Sequence, residues 1–197
     1  MKTHSRMRAL ALGLSIALAT AAVVPMAMAG QRGSMNMQKT VMVGGAAMYP
    51  SKNIVQNAMN SKDHTTLVAA VKAAGLVSTL EGAGPFTVFA PTNEAFAALP
   101  AGTVDTLLKP ENKAELTRIL TYHVVSGKYT AHDLAELAKA HGGKAMLKTV
   151  EGESITVAKD DGKWTVTDAK GHVADITIAD VTQSNGEIFV INKVLMP

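Results

Sequence analysis

Residues 84–96 read GPFTVFAPTNEAF, and this stretch decides the fold. Its first half alternates like a β-strand, and a proline then ends the strand because it cannot donate to the hydrogen-bond ladder. The two polar residues that follow can cap a helix by accepting hydrogen bonds from its free N–H groups. The last phenylalanine returns to the core. The residues that build this strand, turn and helix are Thr87, Phe89, Pro91, Thr92, Asn93 and Phe96.

Two later stretches complete the set of motifs. Residues 120–125 read LTYHVV and mark a change from helix to strand, and residues 185–195 read NGEIFVINKVL and begin at an Asn-Gly turn. Apolar neighbours on both sides of the histidine favour a buried, hydrogen-bonded ring that fixes the corner. A contact to a ligand is the alternative. The residues concerned are Tyr122, His123, Asn185 and Gly186.

In order and spacing, the three stretches resemble the signature boxes of the fasciclin domain (beta-Ig-H3/fasciclin family), and the chain is similar to a secreted bacterial member. The resemblance covers residues 51–197. It implies an α+β wedge of two packed β-sheets with several α-helices, and a role in adhesion, matrix attachment or ligand binding. Phe189 stands where many members have His, and Asn192 where many have Asp. The resemblance therefore gives neither position a polar role.

The resemblance also implies a set of binding residues. In animal members, the Tyr-His region and an Asp-aliphatic pair before the closing box are implicated in integrin recognition. The matching positions here are Tyr122, His123, Asp180 and Val181.

Hydrophobic periodicity outside the boxes agrees with that fold class. Residues 63–74 repeat apolar side chains at helical spacing, and Gly75 follows as a stop signal. Thr130 and Asp133 have the spacing of a capping box, and residues 160–162 read DDG, which is a hairpin signal. Helices concentrate in the first half of the chain and strands in the second. This segregation predicts an α+β domain rather than a parallel α/β sheet.

The N-terminal region predicts export. Residues 1–29 combine a basic start, a short apolar run and a final Ala-Met-Ala, which is the pattern of a signal peptide. Residues 30–50 are rich in Gly and Met and have no clean period, so we expect a flexible arm before the domain at residues 51–197. The mature chain would be periplasmic or extracellular, without an integral membrane segment.

Composition excludes several function classes. The chain has 19 Lys+Arg and 16 Asp+Glu. Three of the basic residues leave with the predicted signal peptide, so the mature protein is neutral. A neutral chain with mixed charge has no electrostatic footprint for nucleic acid. The absence of cysteine rules out disulfides, thiolate metal sites and cysteine nucleophiles.

No motif predicts catalysis or a cofactor. The sequence lacks a Gly-x-Ser-x-Gly elbow and a phosphate-binding Gly-rich loop. His132 and Glu136 are one helical turn apart, which is a weak two-ligand hint, and a solvated helix face is preferred. The methionines at 35, 37, 42 and 48 are irregularly spaced for a copper site. We therefore predict no enzyme, no cofactor and no metal site, and the arm's affinity for metal stays open.

Two functions are consistent with these observations. The first is an exported, non-enzymatic adhesion or binding module with a protein or polysaccharide partner. The alternative is a carrier or sensor of a small apolar ligand, such as a lipid or pigment, held in a cleft between helices and sheet.

Overall fold

A computed structural model of the chain describes residues 40–197. These residues contain seven α-helices: α1 (Ile54–Ala58), α2 (Thr65–Ala74), α3 (Val77–Glu81), α4 (Asn93–Ala97), α5 (Thr103–Leu107), α6 (Lys113–Tyr122) and α7 (Ala131–Ala140). They also contain nine strands: β1 (Val41–Val43), β2 (Ala46–Met48), β3 (Phe86–Pro91), β4 (Val124–Ser126), β5 (Lys144–Lys148), β6 (Ser154–Asp160), β7 (Lys163–Thr167), β8 (Val173–Gln183) and β9 (Gly186–Ile191). Short 3-10 helices cover Lys62–His64 and Pro110–Asn112.

Seven strands form one strongly bent sheet in the order β4-β3-β9-β8-β7-β6-β5. Strand β8 carries two register shifts, between Ile176 and Ile178 and between Ile178 and Val181. Such bulges bend a strand, and β8 therefore runs through both halves of the sheet. A single bridge from Val125 to Thr149 joins the outer ends. The result is a nearly closed sheet whose two halves face each other.

The sheet separates two hydrophobic cores. Because strand side chains alternate, Val88, Ile188 and Val190 face the helices of the first half of the chain, whereas Phe89 and Phe189 point between the sheet halves. The rings of Phe89 and Phe189 stack with their centroids 5.5 Å apart. The predicted α+β wedge of packed sheets and helices is confirmed.

The pairing of β3 with β9 is parallel, whereas the other neighbours in the sheet are antiparallel. This pair brings the first and last sequence boxes side by side, since Phe89 lies opposite Phe189 and Thr87 opposite Glu187. The segregation of helices and strands along the chain predicted the class and could not reveal this one parallel contact.

The predicted flexible arm at residues 30–50 needs a correction in its second half. Strands β1 and β2 form a hairpin there, and Val43 and Met48 are buried in the core beneath it. Each strand has three residues, which is too few to show a period in the sequence. Residues 30–39 and the predicted signal peptide at residues 1–29 lie outside the described residues.

The last turn also differs from the prediction. Gln183 pairs with Gly186, so the turn residues are Ser184 and Asn185, and Gly186 is already part of β9. A side chain at Gly186 would collide with the backbone carbonyl of Phe86. Glycine is needed at this position because the neighbouring strand approaches it closely, and not because the turn requires it.

Candidate functional site

The Tyr-His pair lies where α6 ends and β4 begins. The buried imidazole of His123 donates from Nδ1 to the carbonyl oxygen of Ile119 at 2.8 Å, and its Nε2 accepts from the N–H of Leu195 at 2.9 Å. A carbonyl can only accept and an N–H can only donate, so the ring is neutral with its proton on Nδ1. Burial lowers the pKa of His123 to about 4, against the opposing effects of the Ile119 carbonyl and the Asp168 charge. This geometry matches the structural interpretation of His123 and leaves neither ring nitrogen free.

Tyr122 connects the same corner to the other half of the sheet. The residue is fully buried. Its hydroxyl accepts from the N–H of Ala169 at 2.8 Å and donates to the carbonyl oxygen of Ser154 at 3.4 Å. Burial raises the pKa of this hydroxyl. Like the imidazole, the phenol is occupied by main-chain groups.

Asp168 holds the C-terminal segment nearby. Its buried carboxylate accepts from the N–H of Met196 at 3.1 Å, and from the N–H and the Nδ1 of His172 at 2.8 and 2.9 Å. Burial alone would raise the pKa of Asp168, but these hydrogen bonds outweigh it and lower the pKa. A carboxylate that orients a histidine also occurs in hydrolases. Within residues 40–197, however, no hydroxyl donates to the Nε2 of His172, so the pair lacks a nucleophile.

Asp180 and Val181 lie on β8, which is three strands away from β4 in the sheet order. Asp180 is exposed and adopts a left-handed conformation with φ of 55°. Its Oδ1 accepts from the N–H of Ala131, the first residue of α7, at 2.6 Å. Val181 is buried against β9, where it pairs with Ile188. Asp180 thus ties β8 to the start of α7.

The structure does not bring the two predicted pairs together. Val181 pairs with Ile188, Ile188 with Val88, and Val88 with Val124, which follows His123. Val181 and Val124, at the two ends of this row, are three strand spacings apart, which is roughly 14 Å. Three of the four predicted binding side chains are buried, and Asp180 alone is exposed.

The loop that follows β4, residues 127–130, is held by side chains from three strands. Thr87 of β3 donates from its hydroxyl to the carbonyl oxygen of Gly127 at 2.7 Å and accepts from the N–H of Tyr129 at 2.9 Å. Lys128 lies 3.4 Å from the carboxylate of Glu187 on β9, and Asp180 of β8 holds the start of α7. We call Thr87, Glu187 and Asp180 the latch.

Glu187 is the most unusual member of the latch. Its carboxylate is fully buried; Oε1 accepts from the hydroxyl of Thr182 at 2.9 Å, and Oε2 lacks a hydrogen-bond partner within the described residues. Burial raises the pKa of Glu187; Thr182 and Lys128 oppose this rise, and the nearby charge of Asp180 adds to it. The sequence analysis missed this residue. A single carboxylate inside the otherwise apolar segment GEIFVI was the available signal.

The residues of the first box have structural roles. Thr92 caps α4 by accepting from the N–H of Ala95. Asn93 instead joins neighbouring segments, since it accepts from the N–H of Thr66 at 3.0 Å and donates to the carbonyl oxygen of Lys62 at 2.8 Å. Phe89 and Phe96 are buried in the two cores, and Pro91 ends β3.

Asn185 of the closing box connects three parts of the fold. Its Oδ1 accepts from the N–H of Ile54 at the start of α1, at 3.0 Å. Its Nδ2 donates to the carbonyl oxygens of Leu80 and Gly82 at the end of α3, at 2.8 and 2.9 Å. The side chain thereby fixes two helices to the turn before β9.

Two concave regions lie close to these motifs. An apolar cavity of about 70 Å³ lies between helices α1, α2, α3 and α6 and the sheet, with Phe86, Leu120 and His123 among its lining residues. A more open groove of about 390 Å³ lies between β4 and β5, where the sheet fails to close, and Tyr129 and Leu137 contribute to its lining.

Two further observations concern the described residues as a whole. Residues 40–197 contain no cluster of three or more His, Asp or Glu side chains placed to hold a metal ion. The helices in the same part of the chain are too short or too polar to span a bilayer.

Comparison with known proteins places the fold in a family. Residues 62–197 match the family model described as Fasciclin domain. Protein sll1483 of Synechocystis sp. is 49% identical over 160 residues, covering 81% of this chain and 82% of that protein. The cell surface glycolipoprotein MPB83 of Mycobacterium bovis is 35% identical over 162 residues, covering 79% of this chain and 64% of that protein.

A solved structure shares the fold. The FAS1 domain pair from the insect cell adhesion molecule Fasciclin I superposes with a TM-score of 0.66 at 19% identity, covering 82% of this chain and 59% of that chain. With the family match over residues 62–197 and the similarity to the Synechocystis protein, this chain belongs to the fasciclin-domain family.

Proposed function

We propose that this protein is an exported, non-enzymatic binding module that attaches to a protein or polysaccharide at the cell surface or in the periplasm. The observation that carries the proposal is how the motif side chains are used. The functional atoms of Tyr122, His123 and Asn185 are all hydrogen-bonded to main-chain groups. These residues shape the domain and leave contact with a partner to its surface.

In this proposal the predicted binding residues hold neighbouring segments in place and do not themselves contact the partner. Tyr122 and His123 fix the start of β4, and Asp180 fixes α7 after the loop that follows β4. One pair therefore positions β4 and the other positions the helix that follows the β4 loop, without sharing a pocket. A surface role also agrees with the relatives, one of which is a cell surface glycolipoprotein and another a cell adhesion molecule.

The proposal is tested with isolated cell envelopes of the host. Fluorescently labelled mature protein is sedimented with envelopes over a range of concentrations, and a neutral protein of similar size serves as the control. We expect saturable binding that is lost after either protease or glycosidase treatment, which identifies the partner class. Binding that does not saturate, or that equals the control, would remove the proposal.

The alternative function, a carrier or sensor of a small apolar ligand, is favoured by the apolar cavity. Its lining includes Leu67, Val71 and Leu80 on helices α2 and α3. A volume of about 70 Å³ is well below the roughly 300 Å³ at which ligand pockets usually begin. A lipid or pigment would therefore require α1–α3 to move away from the sheet. Native mass spectrometry of protein purified from its host tests this, because a retained ligand adds a discrete mass.

A further inference from the structure

We propose that the groove between β4 and β5 binds an extended, acidic segment of a partner protein, which joins the edge of β5 as an additional strand. The inference rests on the proposed binding function and deepens it by naming the surface and the chemistry of the partner. It follows from the direction of the main-chain groups, the shape of the groove and the charges beside it.

The edge of β5 presents unpaired main-chain groups. The N–H of Thr149 donates to the carbonyl oxygen of Glu153 at 2.9 Å, in the register that pairs β5 with β6. Hydrogen-bonded pairs alternate with non-bonded pairs along an antiparallel ladder. Lys144, Met146 and Lys148 therefore point their N–H and C=O groups away from β6 and toward the groove.

The edge of β4 faces the same groove. The N–H of Phe89 donates to the carbonyl oxygen of His123 at 2.9 Å, so by the same alternation Val124 and Ser126 point their main-chain groups away from β3. The carbonyl of Val124 is used, since it accepts from the N–H of Val150 at 2.7 Å. The bridge of Val125 with Thr149 joins the two edges at this end, and beyond it the outward main-chain groups of Lys144 and Met146 on β5 still face the open space. An exposed edge of this kind is a template for another strand.

The groove also has two chemically different sides. Leu147 is buried in the core below it, and Leu137 of α7 lines it from the same side. On the solvent side, Lys144, Met146 and Lys148 are exposed, with Met146 at 67%. Because strand side chains alternate between two faces, an added strand would need apolar residues at every second position.

The charges beside the groove indicate which residues an added strand would carry at its outward positions. Within residues 40–197, neither Lys144 nor Lys148 belongs to an ion pair. Lys128 lies in the loop after β4, with its side chain 41% exposed. Lys148 lines the groove, Lys144 lies on the same exposed face of β5, and Lys128 is paired with Glu187, so the charge beside the edge of β5 is positive. The outward residues of an added strand would therefore be acidic, since complementary charge favours encounter and register.

The probe is a labelled heptapeptide in which glutamate alternates with valine, measured by fluorescence anisotropy and by chemical-shift mapping on the full mature protein. Control peptides replace glutamate with lysine, or carry N-methyl groups at alternate residues. In the protein, Met146→Pro removes the outward N–H, and Met146→Thr keeps it. The double variant Lys144→Glu/Lys148→Glu reverses the charge, and Lys163→Glu on the outer hairpin is its matched control.

We expect the acidic peptide to bind, with shifts confined to β4, β5 and the loop between β4 and α7. Loss of one main-chain bond in Met146→Pro should weaken binding by about tenfold, and the charge-reversed variant should weaken it at least as much. Met146→Thr and Lys163→Glu should change it little. If Met146→Pro does not fold, the charge-reversed variant and the N-methylated peptide provide the same test.

Equal binding of acidic and basic peptides, or undiminished binding by the charge-reversed variant, would overturn the inference. So would shifts located outside the groove, or no binding at all. The envelope assay separates this failure from that of the proposed function. Envelope binding that survives Lys144→Glu/Lys148→Glu would reject the groove and keep the binding module, whereas no envelope binding by the wild type would reject the module itself.

Discussion

The Nε2 atom of His123 accepts a hydrogen bond from the N–H of Leu195, 72 residues further along the chain, at 2.9 Å. Together with the bond from Nδ1 to Ile119, it joins the end of α6 to the C-terminal segment. The bond from Leu195 requires the neutral ring, because only an unprotonated Nε2 can accept, whereas the bond to Ile119 is compatible with either form. Protonation would place a second N–H against the N–H of Leu195 and leave a buried charge without an acidic hydrogen-bond partner.

The first prediction concerns His123→Ala and pH. The pKa of His123 is about 4 in the folded protein and about 6.5 in the unfolded chain. The unfolded chain therefore binds the extra proton between these values, and the wild type should lose on the order of 3 kcal/mol as the pH falls from about 6.5 to 4. At neutral pH the variant should be less stable by about 2–4 kcal/mol.

Urea unfolding at several pH values measures both effects. The variant should lack this part of the acid-induced decline, so the two proteins should approach each other in stability near pH 4. His132→Ala, at an exposed position of α7, is the control and should keep the wild-type pH dependence. A constant difference in unfolding free energy between His123→Ala and the wild type across this range would show that the imidazole titrates freely in the folded state.

The second prediction is that Phe89→Ala destabilises the protein without changing any exposed surface. Phe89 is fully buried and stacks on Phe189, so its loss leaves a cavity between the sheet halves. We expect a loss of about 3–5 kcal/mol. Val173→Ala on the outer face, where the side chain is 44% exposed, should cost far less. Unfolding free energies within error of each other for the two variants would contradict this account of the core.

Local signals in the sequence predicted much of the fold. Gly75 ends α2 with φ of 73°, and the N–H of Leu76 returns to the carbonyl of Val71 at 3.0 Å, as the helix-stop pattern indicated. Thr130 and Asp133 form the predicted capping box. These features depend on residues only a few positions apart, so the sequence carries them directly.

Long-range relationships were not predictable in the same way. The parallel contact of Phe89 with Phe189 joins residues that are 100 positions apart, and no local pattern encodes it. Local patterns did not predict the surroundings of the candidate site residues either. The resemblance named Tyr122 and Asp180 but could not show that one is buried and the other caps α7. The open edge of β5 depends on where β4 ends, which is a property of the assembled sheet.

The third prediction is that Asn185→Ala destabilises the protein more than an ordinary surface asparagine would. The change removes three hydrogen bonds, and it leaves the N–H of Ile54 and the carbonyls of Leu80 and Gly82 without this partner. We expect a loss of about 2–3 kcal/mol, because unsatisfied buried groups carry their full desolvation cost. Hydrogen exchange should also accelerate first in α1 and α3.

Asn60→Ala is the matched control for this change. Asn60 is exposed, and its amide makes one bond, to the carbonyl oxygen of Gln56. The expected loss is well below 1 kcal/mol, since surface substitutions usually have small effects. If Asn185→Ala left the exchange of α1 and α3 unchanged, the side chain would not be what holds the two helices to the turn before β9.

The last prediction concerns Glu187→Gln, which should stabilise the protein at neutral pH. Burial raises the pKa of Glu187 in the folded state, so the folded protein binds its proton more tightly than the unfolded chain does. Stability from this group is therefore present below the unfolded pKa of about 4.3 and is lost as the pH rises through the folded value. The amide has no such charge to bury, and it can still accept from Thr182. Lys128 loses its partner but is half-exposed, so no buried charge is left unpaired.

The advantage of Glu187→Gln over the wild type should shrink as the pH falls. The buried carboxylate of Glu187 therefore makes the wild type more stable toward acid, whereas the buried imidazole of His123 makes it less stable. Thermal unfolding from pH 4 to pH 8 distinguishes the two, with the exposed Glu94→Gln as the control. Lower stability of Glu187→Gln at neutral pH would mean that the contact with Lys128, at 3.4 Å, outweighs the cost of burying the carboxylate. The latch would then depend on an ion pair. Greater stability together with faster hydrogen exchange in residues 127–130 would show instead that Glu187 is kept to position the loop beside the groove, at a cost to the free energy of unfolding.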